Sequence, residues 1–276
     1  MTMPDRSPTS VYQYPRYYAI GYQWNTRAEC DFLETCAAKH GPASKKPLGK
    51  GPRIPHLRML DIGCGAGRHL LEMARRGHAA TGFDLRPEMA DYVRAEAKKA
   101  TLSVEASVGD LRRMRLTGTF DLAACLMDTF RFLLTNEEII DHLREVAKHL
   151  RPGGLYVTDF WVPLKWDQLA NEIYQWEQQE DGTTVKVFYL QHPESIDPVE
   201  QTFEDELVFV IEEGETTKEI RGERTRTRLL MPQEFRALAA ASGTFDVVGQ
   251  YADFDLEKPL EAGSTSWRMV SVLRKT

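Results

Sequence analysis

Apolar and polar positions follow two alternating periods along the first part of the chain, and this alternation predicts a repeated order of strand and helix. The runs at residues 58–62, 78–83, 101–108, 120–126 and 155–159 have the length and apolar content of strands. Between the last two runs, Ile139, Leu143 and Val146 recur at the spacing of an amphipathic helix. The order predicts an α/β fold with a Rossmann-like, mostly parallel sheet.

The pattern changes after residue 160. Strand-like runs at 185–190, 202–211 and 219–230, separated by turn residues, predict an antiparallel β insertion. A helix at 232–242 and two strands at 245–251 and 267–273 then follow. We expect four parts: 1–57, an aromatic and helical lid with a linker; 58–160, a nucleoside-binding core; 161–230, the insertion; and 231–276, which completes the core sheet.

Composition narrows the class of protein. The 276 residues are 42% hydrophobic and 28% charged, as in an ordinary soluble globular protein. The net charge of -6 and the pI near 5.7 argue against a nucleic-acid partner. There is no apolar run of about 20 residues, as a membrane span needs, and no signal-peptide core at the start, so we expect a cytoplasmic protein.

The four cysteines give no sign of metal binding. Cys30, Cys36, Cys64 and Cys125 form no C-x-x-C pair and show no zinc-ligand spacing. We expect reduced thiols and no metal.

A glycine-rich turn follows the first strand. Gly63, Gly65 and Gly67 can adopt backbone angles closed to other residues and let a ligand approach the main chain. A dinucleotide fingerprint would place its third glycine one residue later, where Arg68 stands. Asp61 would repel a pyrophosphate but suits a ligand with an ammonium and a sulfonium group. The spacing favours S-adenosylmethionine over NAD.

The segment Leu60-Asp61-Ile62-Gly63-Cys64-Gly65-Ala66-Gly67 resembles motif I of the class I S-adenosylmethionine-dependent methyltransferases. The helix that leads through Leu150-Arg151-Pro152-Gly153-Gly154 into a strand is a second signature of that family. The resemblance is to small-molecule enzymes with a β insertion before the last helix, including amino-sugar and glycine N-methyltransferase relatives. It implies a seven-stranded sheet whose last strand is antiparallel, with S-adenosyl-L-methionine as the cofactor.

Acidic residues at the ends of the next strands extend the match. Asp84 lies about 20 residues beyond the first glycine, the offset at which an acid binds ribose hydroxyls in the analogous dinucleotide fold. The resemblance implies that Asp110 bonds the adenine amine, while Leu111 and Met89 pack on the ring. The full set of expected cofactor residues is Asp61, Gly63, Cys64, Gly65, Gly67, Asp84, Leu85, Met89, Gly109, Asp110, Leu111, Cys125 and Met127.

Methyl transfer depends mainly on positioning, so it leaves little catalytic motif in a sequence. If the nucleophile must lose a proton, the candidates for a base are Asp128, Tyr18 and His192. Each has a structural alternative, respectively a helix cap, a packing residue and a turn residue.

The segment at 11–25 is rich in tyrosine and tryptophan and has two interpretations. Its rings can pack above the sheet, or they can form a lid that holds a sulfonium or an amine. We expect a small acceptor, with nitrogen or oxygen methylated and an amine favoured, enclosed by this segment, the insertion and the loop at 252–266. Two other functions remain open: a regulatory protein that binds S-adenosylmethionine without catalysis, and an NAD-dependent oxidoreductase. The oligomeric state, for which a homodimer is one option, is also open.

Overall fold

The structure is a computed structural model that describes residues 10–42, 56–164 and 173–276. The predicted linker at 40–56 lies largely outside these residues. The helices are α1 Pro15–Gly21, α2 Thr26–His40, α3 Arg68–Arg75, α4 Pro87–Lys99, α5 Asn136–His149 and α6 Pro232–Ser242. The strands are β1 Arg58–Ile62, β2 Ala79–Asp84, β3 Val104–Val108, β4 Phe120–Cys125, β5 Leu150–Trp161, β6 Ile173–Glu180, β7 Thr183–Asp197, β8 Thr202–Glu213, β9 Thr216–Arg221, β10 Thr225–Arg228, β11 Phe245–Tyr251 and β12 Arg268–Lys275.

The main sheet has seven strands in the order β11-β12-β5-β4-β1-β2-β3. Strands β1 to β5 pair in parallel, whereas β12 lies antiparallel between β5 and β11. This topology confirms the predicted fold class, including the antiparallel last strand.

The core of the main sheet follows from the burial of its central strands on both faces. Leu122 and Ala123 of β4 are fully buried, and they belong to different hydrophobic clusters. On one side the cluster includes Leu143 of α5 and Phe235 of α6, and on the other it includes Phe32 of α2. Helices on both faces therefore hold the strand ends in fixed positions.

The second sheet is antiparallel, in the order β10-β8-β7-β6, with β9 paired to β8. Two details differ from the sequence prediction. The region around Trp176 is a regular strand, β6, whose alternation is masked by its many Gln and Glu residues. The single run predicted at 219–230 is divided into β9 and β10.

The N-terminal segment packs on the second sheet. Val11 and Ile20 form a buried cluster with Val187 of β7 and Phe209 of β8. The indole nitrogen of Trp176 donates to the carbonyl of Gly21 over 2.8 Å. No helix among the described residues is long and apolar enough to cross a membrane.

Candidate functional site

A cavity of about 680 Å³ opens at the carboxyl ends of the parallel strands, between the main sheet and the second sheet. This is the edge at which open α/β folds bind ligands. Residues at or just after the strand ends form one wall of the cavity: Gly63, Asp84, Gly109, Asp110, Asp128 and Trp161. The opposite wall comes from the N-terminal segment, through Tyr12, Tyr18, Tyr22 and Trp24, and from the second sheet, through Trp176, Tyr189 and Asp205. A small recess of about 40 Å³ adjoins it, lined by Asp61, Cys64, Arg68 and His69.

Two glycines of the turn allow a close approach to the main chain. Gly63 has φ +68°, and a Cβ there would lie 2.5 Å from Cγ2 of Thr129. A Cβ on Gly65, with φ +53°, would lie 3.3 Å from the ring of Tyr18. Gly67 has a different task, because its Cβ would lie 2.6 Å from Val93 of α4, and it lines neither space. It brings helix α4 close to the turn.

Asp61 is a buried carboxylate at the end of β1. It is 2% exposed, and its Oδ2 has no hydrogen-bond partner among the described residues. Burial raises its pKa to about 7, and Asp84 adds to the rise, whereas Arg68 opposes it. A buried carboxyl oxygen without a partner calls for an explanation, and a cationic ligand group in the recess would supply one.

Asp84 supports the turn as well as facing the cavity. One carboxylate oxygen accepts from the amide of Gly65 over 2.9 Å, and the other accepts from the amide of Arg86 over 2.9 Å. Burial raises the pKa of Asp84 despite these bonds. At the end of β3, Asp110 accepts from the amide of Arg112 over 2.8 Å. The two acids thus stand side by side on adjacent strand ends.

Most of the expected cofactor residues line the cavity or the recess, and Leu85 does so with 60% of its surface exposed. Gly67, Met89 and Cys125 do not. Met89 and Cys125 are fully buried in the protein interior. Met89 lies in the first turn of α4, which turns its side chain into the interior, and Cys125 belongs to the core cluster between β4 and α5. The structure therefore places these two as packing residues.

The structure separates the three candidate bases. Asp128 and Tyr18 line the cavity. Asp128 has φ +64°, and its Oδ1 accepts from the amide of Trp161 over 2.5 Å. Burial raises the pKa of Tyr18, so its hydroxyl stays protonated at neutral pH and is a poor base. His192 lies outside the cavity wall, with Nε2 3.5 Å from Glu206 of the adjacent strand. His192 thus lies apart from the other two candidates.

A cluster around Arg131 was not predicted from the sequence. This guanidinium is 1% exposed and lies over the rings of Phe203, at 4.8 Å, and Trp161, at 5.5 Å. It donates to the hydroxyls of Tyr189 over 3.1 Å and Thr227 over 2.7 Å. An arginine between two phenylalanines, Phe130 and Phe132, was the only signal in the sequence. Arg131 joins the turn after β4 to the second sheet.

A second missed cluster lies beneath the recess. Glu29 of α2 is 2% exposed and contacts Arg68 and His69, each over 2.6 Å. Arg268 lies 3.4 Å from Glu29 and 3.5 Å from Asp159, whose Oδ1 accepts from the amide of Met127 over 2.8 Å. The sequence carried a signal here, because Glu29 falls on the apolar face of its helix with Phe32, Leu33 and Cys36. No group of three or more metal-ligating side chains occurs in the described part of the chain.

Residues 59–154 match a protein family described as "Methyltransferase domain". The chain is 25% identical over 232 residues to a candidate methyltransferase of Geobacillus sp. (strain WCH70), an alignment that covers 84% of this chain and 90% of the other. It is 31% identical over 115 residues to dTDP-4-amino-2,3,4,6-tetradeoxy-D-glucose N,N-dimethyltransferase of Saccharopolyspora spinosa. That alignment covers 41% of this chain and spans only 45% of the length of that relative.

Among solved structures, the fold is similar to that of an S-adenosylmethionine-dependent methyltransferase from Clostridium acetobutylicum ATCC 824. The TM-score is 0.73 at 15% identity, over 96% of this chain and 98% of the other. At 15% identity, this similarity shows the fold alone. Because the match covers nearly the whole chain, it includes the second sheet.

Proposed function

We propose that this chain is a class I S-adenosylmethionine-dependent methyltransferase, as the family match at residues 59–154 and the fold support, and that it methylates the nitrogen of a small-molecule amine held in the cavity. The observation that carries this proposal is a space of about 680 Å³ at the strand ends, walled by aromatic rings and carboxylates. Methyl transfer and the use of S-adenosylmethionine come with the family. The acceptor and the roles of individual residues are our proposal.

The residues at the strand ends suit the cofactor. We assign the unpartnered carboxylate of Asp61 to the ammonium group, the Asp84 carboxylate to the ribose hydroxyls, and Asp110 with Leu111 to the adenine. The glycine turn supports this assignment because side chains at Gly63 and Gly65 would enter the same space. The small recess beside Asp61 would take the amino-acid end of the ligand.

When bound, the cofactor would supply an electrophilic methyl carbon to the acceptor nitrogen, with the carbon–sulfur electron pair left on sulfur. The protein's contribution is to hold the acceptor in line and to exclude water. Asp128 is well placed for this, because its left-handed backbone and its bond to the Trp161 amide fix the carboxylate at the end of β4.

The walls of the cavity favour an amine over a neutral or anionic acceptor. Tyr18 and Tyr22 stack with centroids 4.4 Å apart, and Trp24 packs edge-on against Trp176 at 4.9 Å. Aromatic faces and carboxylates both attract an ammonium group. The expected loop at 252–266 contributes nothing to the lining, since Phe254 packs on Phe32 of α2 instead, although Trp267 does reach the cavity. We propose that the segments within 1–57 and 161–230 enclose the acceptor without that loop.

The proposal is tested by incubating the full chain with methyl-labelled S-adenosylmethionine and a panel of matched amines and alcohols, including amino sugars and their hydroxy analogues. We expect label transfer to amines only. Transfer confined to proteins or RNA would overturn the small-molecule proposal. Tight binding of S-adenosylmethionine without formation of S-adenosylhomocysteine with any acceptor would favour a regulatory role.

A further inference from the structure

A hydrogen-bonded pair on the second sheet, Tyr189 and Asp205, is not used by the function described so far. The Tyr189 hydroxyl lies 2.6 Å from Oδ2 of Asp205, and both side chains line the cavity. Tyr189 belongs to β7 and Asp205 to β8, and Asp205 is 7% exposed. A buried carboxylate on the acceptor side of the cavity is a costly feature unless it has partners or a function.

The direction of the hydrogen bonds in this pair is fixed by Arg131. A guanidinium can only donate, so the oxygens of Tyr189 and Thr227 must accept from it. Both hydroxyl protons are then turned towards the same Oδ2 of Asp205, which lies 2.9 Å from the Thr227 oxygen. Asp205 is therefore oriented as an ionised acceptor, and the Tyr189 proton already points at it.

The pair stands next to the end of β4. Nη1 of Arg131 is 3.6 Å from Asp128 and 3.1 Å from the Tyr189 hydroxyl, so one buried cation touches both. The titratable and charged groups that face the pair from neighbouring elements are Arg131, Asp128, Tyr12, Tyr22 and Tyr174. Arg131 is the cation among them, and it offsets the carboxylates of Asp128 and Asp205.

We propose that Tyr189 and Asp205 are the proton-accepting relay for an ammonium acceptor, with Arg131 as their positioning residue. This rests on the proposed amine function. The N–H bond of the acceptor breaks and its proton forms an O–H bond with Tyr189. The original Tyr189 proton moves to Oδ2 of Asp205, and the freed electron pair stays on nitrogen. The Tyr189 phenol stays neutral and the Arg131 guanidinium stays positively charged. The methyl acceptor becomes a neutral amine, and Asp205 becomes a neutral carboxylic acid.

Burial is the main cause of a raised pKa at Asp205, which improves it as a proton acceptor relative to an exposed aspartate. Arg131 limits that rise and keeps the carboxylate available. One lone pair of the Tyr189 oxygen accepts a hydrogen bond from Arg131. The other lone pair is free to accept a hydrogen bond from the N–H of the methyl acceptor.

The test combines catalysis with ligand binding, using Tyr189→Phe and Asp205→Asn in the full chain. Tyr251→Phe is the matched control, since this buried tyrosine lies on the other side of the main sheet against Phe32. With the best amine of the panel, we expect kcat/KM of Tyr189→Phe and of Asp205→Asn each to fall roughly 100-fold at pH 7. The deficit should shrink about tenfold per pH unit as the acceptor itself deprotonates in solution. A deficit that is the same at every pH, or no deficit, would overturn the relay.

Ligand binding tests the contact between Tyr189 and an ammonium group without any need for turnover. Dimethylammonium has N–H donors and tetramethylammonium has none, so only the first can bond to Tyr189. In the complex with S-adenosylhomocysteine, we expect Tyr189→Phe to weaken dimethylammonium at least fivefold and leave tetramethylammonium unchanged. If no amine of the panel is methylated but this difference appears, the proposed function fails while the ammonium contact stands. Equal effects on both ions, or no binding of dimethylammonium, would overturn the contact and the relay with it.

Discussion

His142 holds the main-chain carbonyl of Leu111, with Nδ1 2.8 Å from that oxygen. A carbonyl can only accept, so Nδ1 carries the proton, and Nε2 accepts from the hydroxyl of Tyr156 over 2.8 Å. A buried histidine of α5 thereby fixes the turn that we assign to adenine.

We predict that His142→Leu lowers the free energy of unfolding by about 1–3 kcal/mol, because it leaves the Tyr156 hydroxyl and the Leu111 carbonyl without partners. The same variant should bind S-adenosylhomocysteine more weakly. Chemical denaturation and calorimetry measure the two effects. His142→Gln retains an amide for the carbonyl and should recover part of both.

We also predict that the contribution of His142 to the free energy of unfolding depends on pH. Burial lowers the pKa of His142 to about 4, below its ordinary value of 6.5. The unfolded chain therefore binds the proton first, and the contribution of His142 to stability is lost as the pH falls from 6.5 towards 4. The difference in unfolding free energy between the wild type and His142→Gln should shrink over that range. A constant difference would contradict the assignment of a neutral, buried ring.

For Asp61, we predict that cofactor binding releases a proton below pH 7. Burial raises its pKa to about 7, whereas a ligand ammonium in the recess would favour the ionised carboxylate. Affinity for S-adenosylhomocysteine should fall by up to about tenfold per pH unit below 7. Calorimetry in buffers of different ionisation enthalpy counts the protons. Asp61→Asn should bind weakly at every pH and release none; a pH-dependent affinity that survives in this variant would point to another group.

The need for a glycine at position 63 of the turn can be tested with Gly77, which lies outside the turn, as a matched control. Gly63→Ala adds a Cβ 2.5 Å from Thr129 at φ +68°, whereas Gly77→Ala adds one at φ +87° with nothing within 4 Å. Both should cost about 1 kcal/mol or more of backbone strain. We expect only Gly63→Ala to abolish binding of S-adenosylhomocysteine, as measured by Trp fluorescence. Equal binding by both variants would show that the approach to Gly63 is not needed.

For Asp84, we predict that Asp84→Ala weakens cofactor affinity at least tenfold, about 1.4 kcal/mol. The carboxylate also accepts from the amides of Gly65 and Arg86, so the variant should lose stability as well. Asp84→Asn separates the two effects, because it retains an oxygen for one amide but cannot accept from two ribose hydroxyls. Unchanged affinity in both variants would remove Asp84 from the ribose site.

The main sheet could be predicted from the sequence, and a cofactor site at its edge could be proposed, because both depend on local patterns. Strand β1 and the glycine turn lie within one continuous segment, Asp84 is the last residue of β2, and Asp110 comes two residues after β3. Met89 lies in the interior and not in the cavity, and this could not be predicted because one residue along a helix turns the side chain by about 100°.

The acceptor side could not be predicted in the same way. Tyr189, Asp205 and Thr227 come from three strands of the second sheet, and only their pairing brings them to Arg131. Strand β6 was missed because its polar residues conceal the alternation. His192 was a candidate base from its residue type alone, yet its side chain on β7 does not line the cavity, although its neighbour Glu206 does.

The second sheet leaves the main sheet after β5 and returns at α6, and Arg131 is a buried contact between the two. In our proposal, the residues that bind the methyl donor and the second-sheet residues that contact the acceptor therefore belong to separate segments of the chain. An exchange of residues 173–228 between relatives, with a suitable partner for Arg131 preserved, would be a direct route to enzymes with new substrate preferences and an unaltered donor site.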